Sequence, residues 1–207
     1  MEETYRTVAG TASARIEEKK SEFIADVSFA DSEAAALAFL ESVRAAHRTA
    51  RHHVYAYVLR DGARQRYSDD GEPAKTAGVP TLEAIQHAQL TNCIVVTTRY
   101  FGGVLLGTGG LVRAYTQAAS LALAAARQVT MCRCVQGTWQ VPYALYEQAA
   151  RLLREAGAHA GEPVFANDVR IPFTVLEGGR EQVEKSAREL CRGAEQLAFS
   201  SPEYAAF

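Results

Sequence analysis

The sequence predicts an α+β protein of two domains, on three observations. Residues 1–132 alternate apolar strands with amphipathic helices around a long loop rich in glycine and acid. Residues 133–207 run strand, helix, strand, strand, helix, strand, the order of a ferredoxin-like α/β sandwich. The chain has 207 residues, 48% apolar and 22% charged, which suits an ordinary globular protein with room for more than one core. That composition excludes disordered, collagen-like and coiled-coil classes. No apolar run nears the roughly 20 residues of a membrane-crossing helix, and the Met-Glu-Glu start is unlike a signal peptide. A cytoplasmic protein with no membrane partner is expected.

The elements follow in order. Residues 4–16 read as one strand rich in Thr and Ala, and Lys19-Lys20-Ser21 as a polar connection. Phe23, Ala25, Val27 and Phe29 alternate with polar residues, a half-buried strand. Asp31 or Ser32 caps a helix running to about Ala46, with Ala36, Phe39, Leu40 and Val43 on its apolar face. Val54–Leu59 is apolar on both faces and reads as central. Residues 61–78 read as a loop, long enough to suggest function. Pro80 opens a short helix ending near Leu90, Cys93–Thr98 is another buried strand, and a helix runs from about Leu111 to Arg127. Beyond it come strand 129–141, helix 143–156, strands 159–165 and 168–175, helix 179–192 and strand 195–200. The two helices bury Tyr146, Ala149 and Leu153, and Val183, Ala187 and Leu190.

The formal charge is −2, but it is unevenly spread. Residues 44–66 hold six Arg and a single acid, Asp61, a local balance of +5. No acid lies between Glu83 and Glu147, where Arg99, Arg113, Arg127 and Arg133 stand. A nearly neutral protein can therefore show a basic surface to an anion. The four cysteines form no C-x-x-C pair. Cys93 and Cys191 read as core thiols, and Cys132-x-Cys134 as packing on one strand face, which suits a reducing compartment.

Three features carry chemistry. The first is Arg99-Tyr100-Phe101-Gly102-Gly103 through Gly107-Thr108-Gly109-Gly110, between an apolar strand and a long helix. Glycines permit close backbone approach, and a helix start offers unpaired N–H groups, a combination that suits phosphate. Arg99 and Arg113 would add full charges. Gly102 and Gly107 have P-loop spacing, but Thr108 stands where Lys is needed. Gly107-x-Gly109 begins a dinucleotide fingerprint, but Val112 replaces its third glycine. The competing reading is a tight, closely packed turn.

The second feature is the loop Ser68-Asp69-Asp70-Gly71-Glu72-Pro73, followed by Lys75. Asp69, Asp70 and Glu72 are weak candidates for holding a hard cation or acting as a base, against an Asp-Gly turn bonding its own backbone. The third is His47 with His52-His53-Val54-Tyr55-Ala56-Tyr57, whose aromatics either stack on bases beside Arg48 and Arg51 or form a buried face under a helix. No nucleophile elbow, metalloprotease helix or catalytic triad is present. No catalytic residue is assigned.

Lys20-Ser21-Glu22-Phe23, the stretch from Ala50-Arg51-His52-His53 to Tyr57, Asp69-Asp70-Gly71-Glu72-Pro73 with Thr76-Ala77-Gly78-x-Pro80, and Arg99-Tyr100-Phe101-Gly102-Gly103 through Leu111-Val112 together resemble the IMPACT/YigZ family. The C-terminal segment is similar to the smaller domain of its bacterial members. The resemblance implies an N-terminal domain, 1–132, like the second domain of a small-subunit ribosomal protein. It also implies a ferredoxin-like domain, 133–207, the pair looking like the fourth and fifth domains of elongation factor G. Eukaryotic members restrain a starvation-activated kinase through an additional N-terminal module. This sequence opens directly in the shared domain, so that role is not expected of it.

The leading expectation is a non-catalytic protein bound to RNA or the ribosome that modulates translation and needs no cofactor. Arg51, Arg99 and Arg113 would meet phosphate, and Gly102, Gly103, Gly107, Gly109 and Gly110 would shape its approach. His52, Lys75 and Tyr100 would line the same cleft. One alternative is a small-molecule or nucleotide-binding enzyme using the Asp69-Asp70-Gly71-Glu72 loop with Mg²⁺. Another is a scaffold for a regulatory protein.

Overall fold

The computed structural model describes residues 4–207. The chain is α+β, with two sheets and five helices, and divides into two compact units: Tyr5–Val129, and Thr130–Phe207 with Thr4. Among the described residues no helix is long and apolar enough to cross a membrane.

In the first unit the expected single strand is two, β1 (Thr4–Ala9) and β2 (Thr11–Glu18), divided at Gly10 with φ +74. β2 pairs with β3 (Ser21–Phe29) through a two-residue turn, Lys19-Lys20. α1 (Glu33–Ala46) is capped by Ser32, whose hydroxyl accepts the Ala35 N–H at 3.3 Å. β4 (His52–Val58) leads to β5 (Gln65–Ser68), so the expected loop over 61–78 contains an edge strand. That strand alternates no apolar face and so gives no periodic signal. α2 (Gly78–His87), β6 (Cys93–Tyr100) and α3 (Thr108–Ala125) complete the unit.

The sheet order is β2-β3-β6-β4-β5, with every neighbouring pair antiparallel. Alternation sends successive residues to opposite faces. Phe23, Val54 and Val95 pack with Ile85 of α2 and Tyr115 and Ala118 of α3. On the other face Ala36, Leu40 and Val43 of α1 pack on Tyr57, Ile94 and Val96. Covered on both sides, β6 is buried along its whole length except at Tyr100. The same packing answers the question of the aromatics: Tyr57 is buried under α1, its hydroxyl donating to Glu33 at 2.9 Å, and Tyr55 is partly buried against the same core.

The second unit is built on β7 (Arg127–Val141), which enters it from the first. β7 pairs antiparallel with β10 (Val169–Leu176), β11 (Gln196–Phe199) and β12 (Glu203–Ala206). β10 pairs with the two-residue strands β8 (His159–Ala160) and β9 (Val164–Phe165). The expected strand 159–165 is therefore two short pieces, and β12 was not foreseen. α4 (Tyr146–Glu155) and α5 (Arg180–Leu190) bury Ala149, Leu153, Val183 and Ala187 against Trp139, Ile171 and Val175. Gly137 leaves the space that the Phe173 ring fills. The four cysteines are free, and burial pushes the Cys93 thiol up to about 12.

Candidate anion-binding site

The register of the first sheet sets Phe23, Arg99 and His52 side by side on β3, β6 and β4. They share the face covered by α2 and α3. A guanidinium carried there by a central strand must find its counter-charge inside the protein, because an isolated buried charge is too costly to keep. Glu72 supplies it from the loop above. Arg99 Nη1 donates to Glu72 Oε1 at 2.7 Å, with side-chain exposures of 8% and 4%. The Tyr115 hydroxyl of α3 donates to the same oxygen at 2.8 Å, and burial together with the Glu72 charge drives its pKa upward. Ser21 Oγ accepts from Arg99 Nη2 at 3.4 Å and from the Gly102 N–H at 3.1 Å. The guanidinium lies 5.4 Å from the Phe23 ring and 5.6 Å from that of Phe101. Arg99 was expected to meet phosphate. Its charge is instead answered internally by Glu72.

The remaining carboxylates of the acidic loop point elsewhere. Asp69 accepts the N–H groups of Lys75 (2.8 Å), Ala77 (3.0 Å) and Gly78 (2.7 Å), tying the loop to the start of α2. Asp70 accepts the His53 N–H at 2.6 Å and pairs with Arg44 at 3.4 Å. His52 Nδ1 donates to the Asp70 carbonyl at 2.8 Å, beneath Gly71 at φ +87. Asp69, Asp70 and Glu72 thus serve three separate sets of partners, and among the described residues no group of three or more His, Cys, Asp or Glu converges on a point. Each of the three carboxylates is engaged by groups within the protein. The turn reading accounts for Asp69, which bonds the backbone of its own loop, whereas Asp70 and Glu72 bond groups on β4, α1, β6 and α3.

The glycine segment divides in two. Gly102 is packed so closely on the Lys20–Ser21 backbone that no Cβ fits. Gly103 and Gly107 adopt φ +86 and +74 with open space around them. Gly107 caps α3, and the first intrahelical bond runs from the Leu111 N–H to the Gly107 carbonyl. The amides of Thr108, Gly109 and Gly110 therefore have no acceptor within the helix, and its first turn contains no acid. Arg113 is exposed and lies close over Gly109, where an added Cβ would come within 3.6 Å of Nη1.

The structure brings some expected residues together and separates others. Tyr115 bonding to Glu72 places the second turn of α3 at the Arg99 end of the sheet. His52 is there, half-buried, and Arg51 precedes it, exposed. Lys75, also exposed, rides on the loop that Glu72 anchors. Tyr100 departs from expectation. Strand alternation turns it to the α1 face, where its hydroxyl meets His47 Nδ1 at 3.0 Å. Lys19 and Lys20 are not singled out as site residues by the sequence reasoning. They form the β2–β3 hairpin tip at φ 47 and 65, exposed, and Lys20 lies directly against Gly102. The signal in the sequence was a lysine doublet between two alternating segments. Among the described residues Lys19, Lys20, Arg51, Lys75 and Arg113 have no ion pair. Glu22, Asp70 and Glu72 at this end are paired with Arg15, Arg44 and Arg99.

A model of the Impact N-terminal domain matches residues 19–123, a span containing the hairpin tip, the acidic loop, Arg99 and the start of α3. An IMPACT family member of Thermus thermophilus, described as lying in a pol 5′ region, is 40% identical over 178 residues, covering 84% of this chain and 96% of that protein. The IMPACT family member YigZ of Escherichia coli (strain K12) is 48% identical over 118 residues, 56% of each chain. A crystal structure described only as that of a hypothetical protein matches at a TM-score of 0.65 and 32% identity, covering 95% of this chain and 97% of that one. With its family motifs placed around one end of one sheet, the chain belongs to the IMPACT family.

Proposed function

We propose that the first unit binds the phosphate backbone of RNA at this end of its sheet, and that the protein is a non-catalytic, cytoplasmic modulator of translation associated with RNA or the ribosome. One observation carries the reading. Among the described residues Lys19, Lys20, Arg51, Lys75 and Arg113 have no ion pair, Arg113 lies over Gly109 at the start of α3, and Glu22, Asp70 and Glu72 are engaged by arginines, although Glu17 and Glu18 beside the hairpin tip are exposed. Helix-start amides with flanking guanidinium and ammonium groups suit phosphate oxygens. The reading keeps the ferredoxin-like expectation for the second unit and the likeness of the pair to the elongation-factor domains.

Binding led by phosphate weakens as salt rises, with a slope set by the number of phosphates neutralised. Filter binding of a structured RNA at two salt concentrations tests this. The combined variant Lys20→Ala, Arg51→Ala, Arg113→Ala is expected to lower the salt slope by about 2–3 and weaken binding at least tenfold at low salt. A slope and affinity equal to wild type would remove the site.

A further inference from the structure

Phosphate recognition makes no use of Phe101, yet the protein holds this residue firmly and in the open. The residue is 56% exposed. The backbone on its C-terminal side is pinned, because the Gly102 N–H is bonded to Ser21 Oγ and Gly102 is pressed on the Lys20–Ser21 backbone. The Arg99 guanidinium lies 5.6 Å from the ring centroid and is itself fixed by Glu72. The aromatic is thus supported by an immobile cation on one side and open to solvent elsewhere. The unpaired hairpin-tip lysines stand beside it through the Lys20–Gly102 contact.

Fixing an exposed ring in place lowers the entropy lost when a flat partner stacks on it. A π-face next to free positive charge matches a nucleotide whose base is unpaired: the base stacks and the flanking phosphates meet the cations. A base inside a duplex already stacks on its neighbours and has no free face to offer. Resting on the phosphate-binding reading, we infer that Phe101 is a stacking platform for an unpaired base. The site therefore takes a single-stranded or looped RNA segment in preference to duplex.

The test uses the full chain and fluorescence anisotropy. The probes are a labelled single strand of about 12 nucleotides and the same strand annealed to its complement. Wild type binds the single strand at least tenfold more tightly than the duplex at equal salt. Phe101→Ala loses roughly 5- to 100-fold on the single strand, the range for losing one base–aromatic stack. It leaves duplex binding and the salt slope unchanged. Phe101→Trp restores single-strand affinity, and its indole is quenched on binding against the constant signal of Trp139, the only native tryptophan and fully buried. Phe101→Leu, apolar but without a π-face, does not restore it. The inference is overturned if Phe101→Ala binds the single strand as wild type does, if Phe101→Leu restores affinity, or if strand and duplex bind equally. In those cases the phosphate-binding reading still stands. Binding to neither probe at low salt removes both.

Discussion

Arg99 is closed in beneath Glu72 and Tyr115, whereas Arg113 lies open over the first turn of α3. Both come from the same acid-free stretch of sequence and serve the same end of one sheet. Strand geometry decides the first: β6 is covered on both faces, so its guanidinium must be neutralised within the fold. Helix geometry decides the second: Arg113 leaves α3 on the side away from the core, while Leu111, Ala114 and Tyr115 face inward. Charge in a sequence marks a binding site only after the interior has taken its share. Here the internal pair also has a positioning effect. By fixing Glu72 it holds the acidic loop down, and by fixing Ser21 and Gly102 it sets the base of the glycine segment on which the open groups stand.

The sharpest way to break this contrast is to remove one partner of the internal pair. Glu72→Gln leaves Arg99 buried without a counter-charge, which costs about 3–5 kcal/mol. Urea unfolding reads it as a large drop in midpoint. Replacing the cluster together, Glu72→Leu with Arg99→Met and Tyr115→Phe, recovers most of that loss, since an apolar set of similar volume leaves neither a buried charge nor an orphaned Tyr115 hydroxyl. Arg113→Ala, an exposed change, moves stability by no more than about 0.5 kcal/mol. Equal losses for Glu72→Gln and Arg113→Ala would show that the two arginines are not partitioned as described.

A smaller loss is expected where the internal cluster meets the open loop. Gly102→Ala drives a methyl into the Lys20–Ser21 backbone, which cannot yield as a flexible side chain would. The overpacking costs about 1–3 kcal/mol. Gly103→Ala meets no neighbour, so its cost comes from the positive φ alone. A thermal melt of the two variants separates a steric demand from a conformational one.

Much of this architecture was legible because local rules agree with the fold. Ser32 announces α1, period-two apolar residues announce β3, and Gly107 stands where α3 begins. The change between apolar run, glycines and helical spacing marks β6 and α3, but β6 runs on to Tyr100 and α3 begins at Thr108, three residues before the expected Leu111, and ends at Ala125. β5 and β12 were not legible, because edge strands need no apolar face. The site was legible only as a neighbourhood. Which of Asp69, Asp70 and Glu72 would meet Arg99 depends on how the loop 69–77 descends on the sheet, and the residues concerned are joined by tertiary contact rather than by spacing. Tyr100 illustrates the same limit, since its neighbour Arg99 goes to one face of β6 and it goes to the other.

The smallest effect concerns the opposite face of the same sheet end. His53 is buried, with its N–H donating to Asp70 and its Nε2 to the His47 carbonyl at 3.3 Å. Burial holds its pKa below the ordinary histidine value of 6.5, although the His47 carbonyl and the Asp70 charge pull the other way. The unfolded chain therefore binds a proton more readily than the folded one, and the stability this group supports is present above its unfolded pKa and lost as pH falls toward its folded pKa. Lowering the pH from 7.5 to 5.5 should reduce the urea midpoint of wild type more than that of His53→Gln, which carries no titrating group. Parallel pH profiles for wild type and His53→Gln would mean that the buried imidazole does not set the acid sensitivity of this end of the sheet.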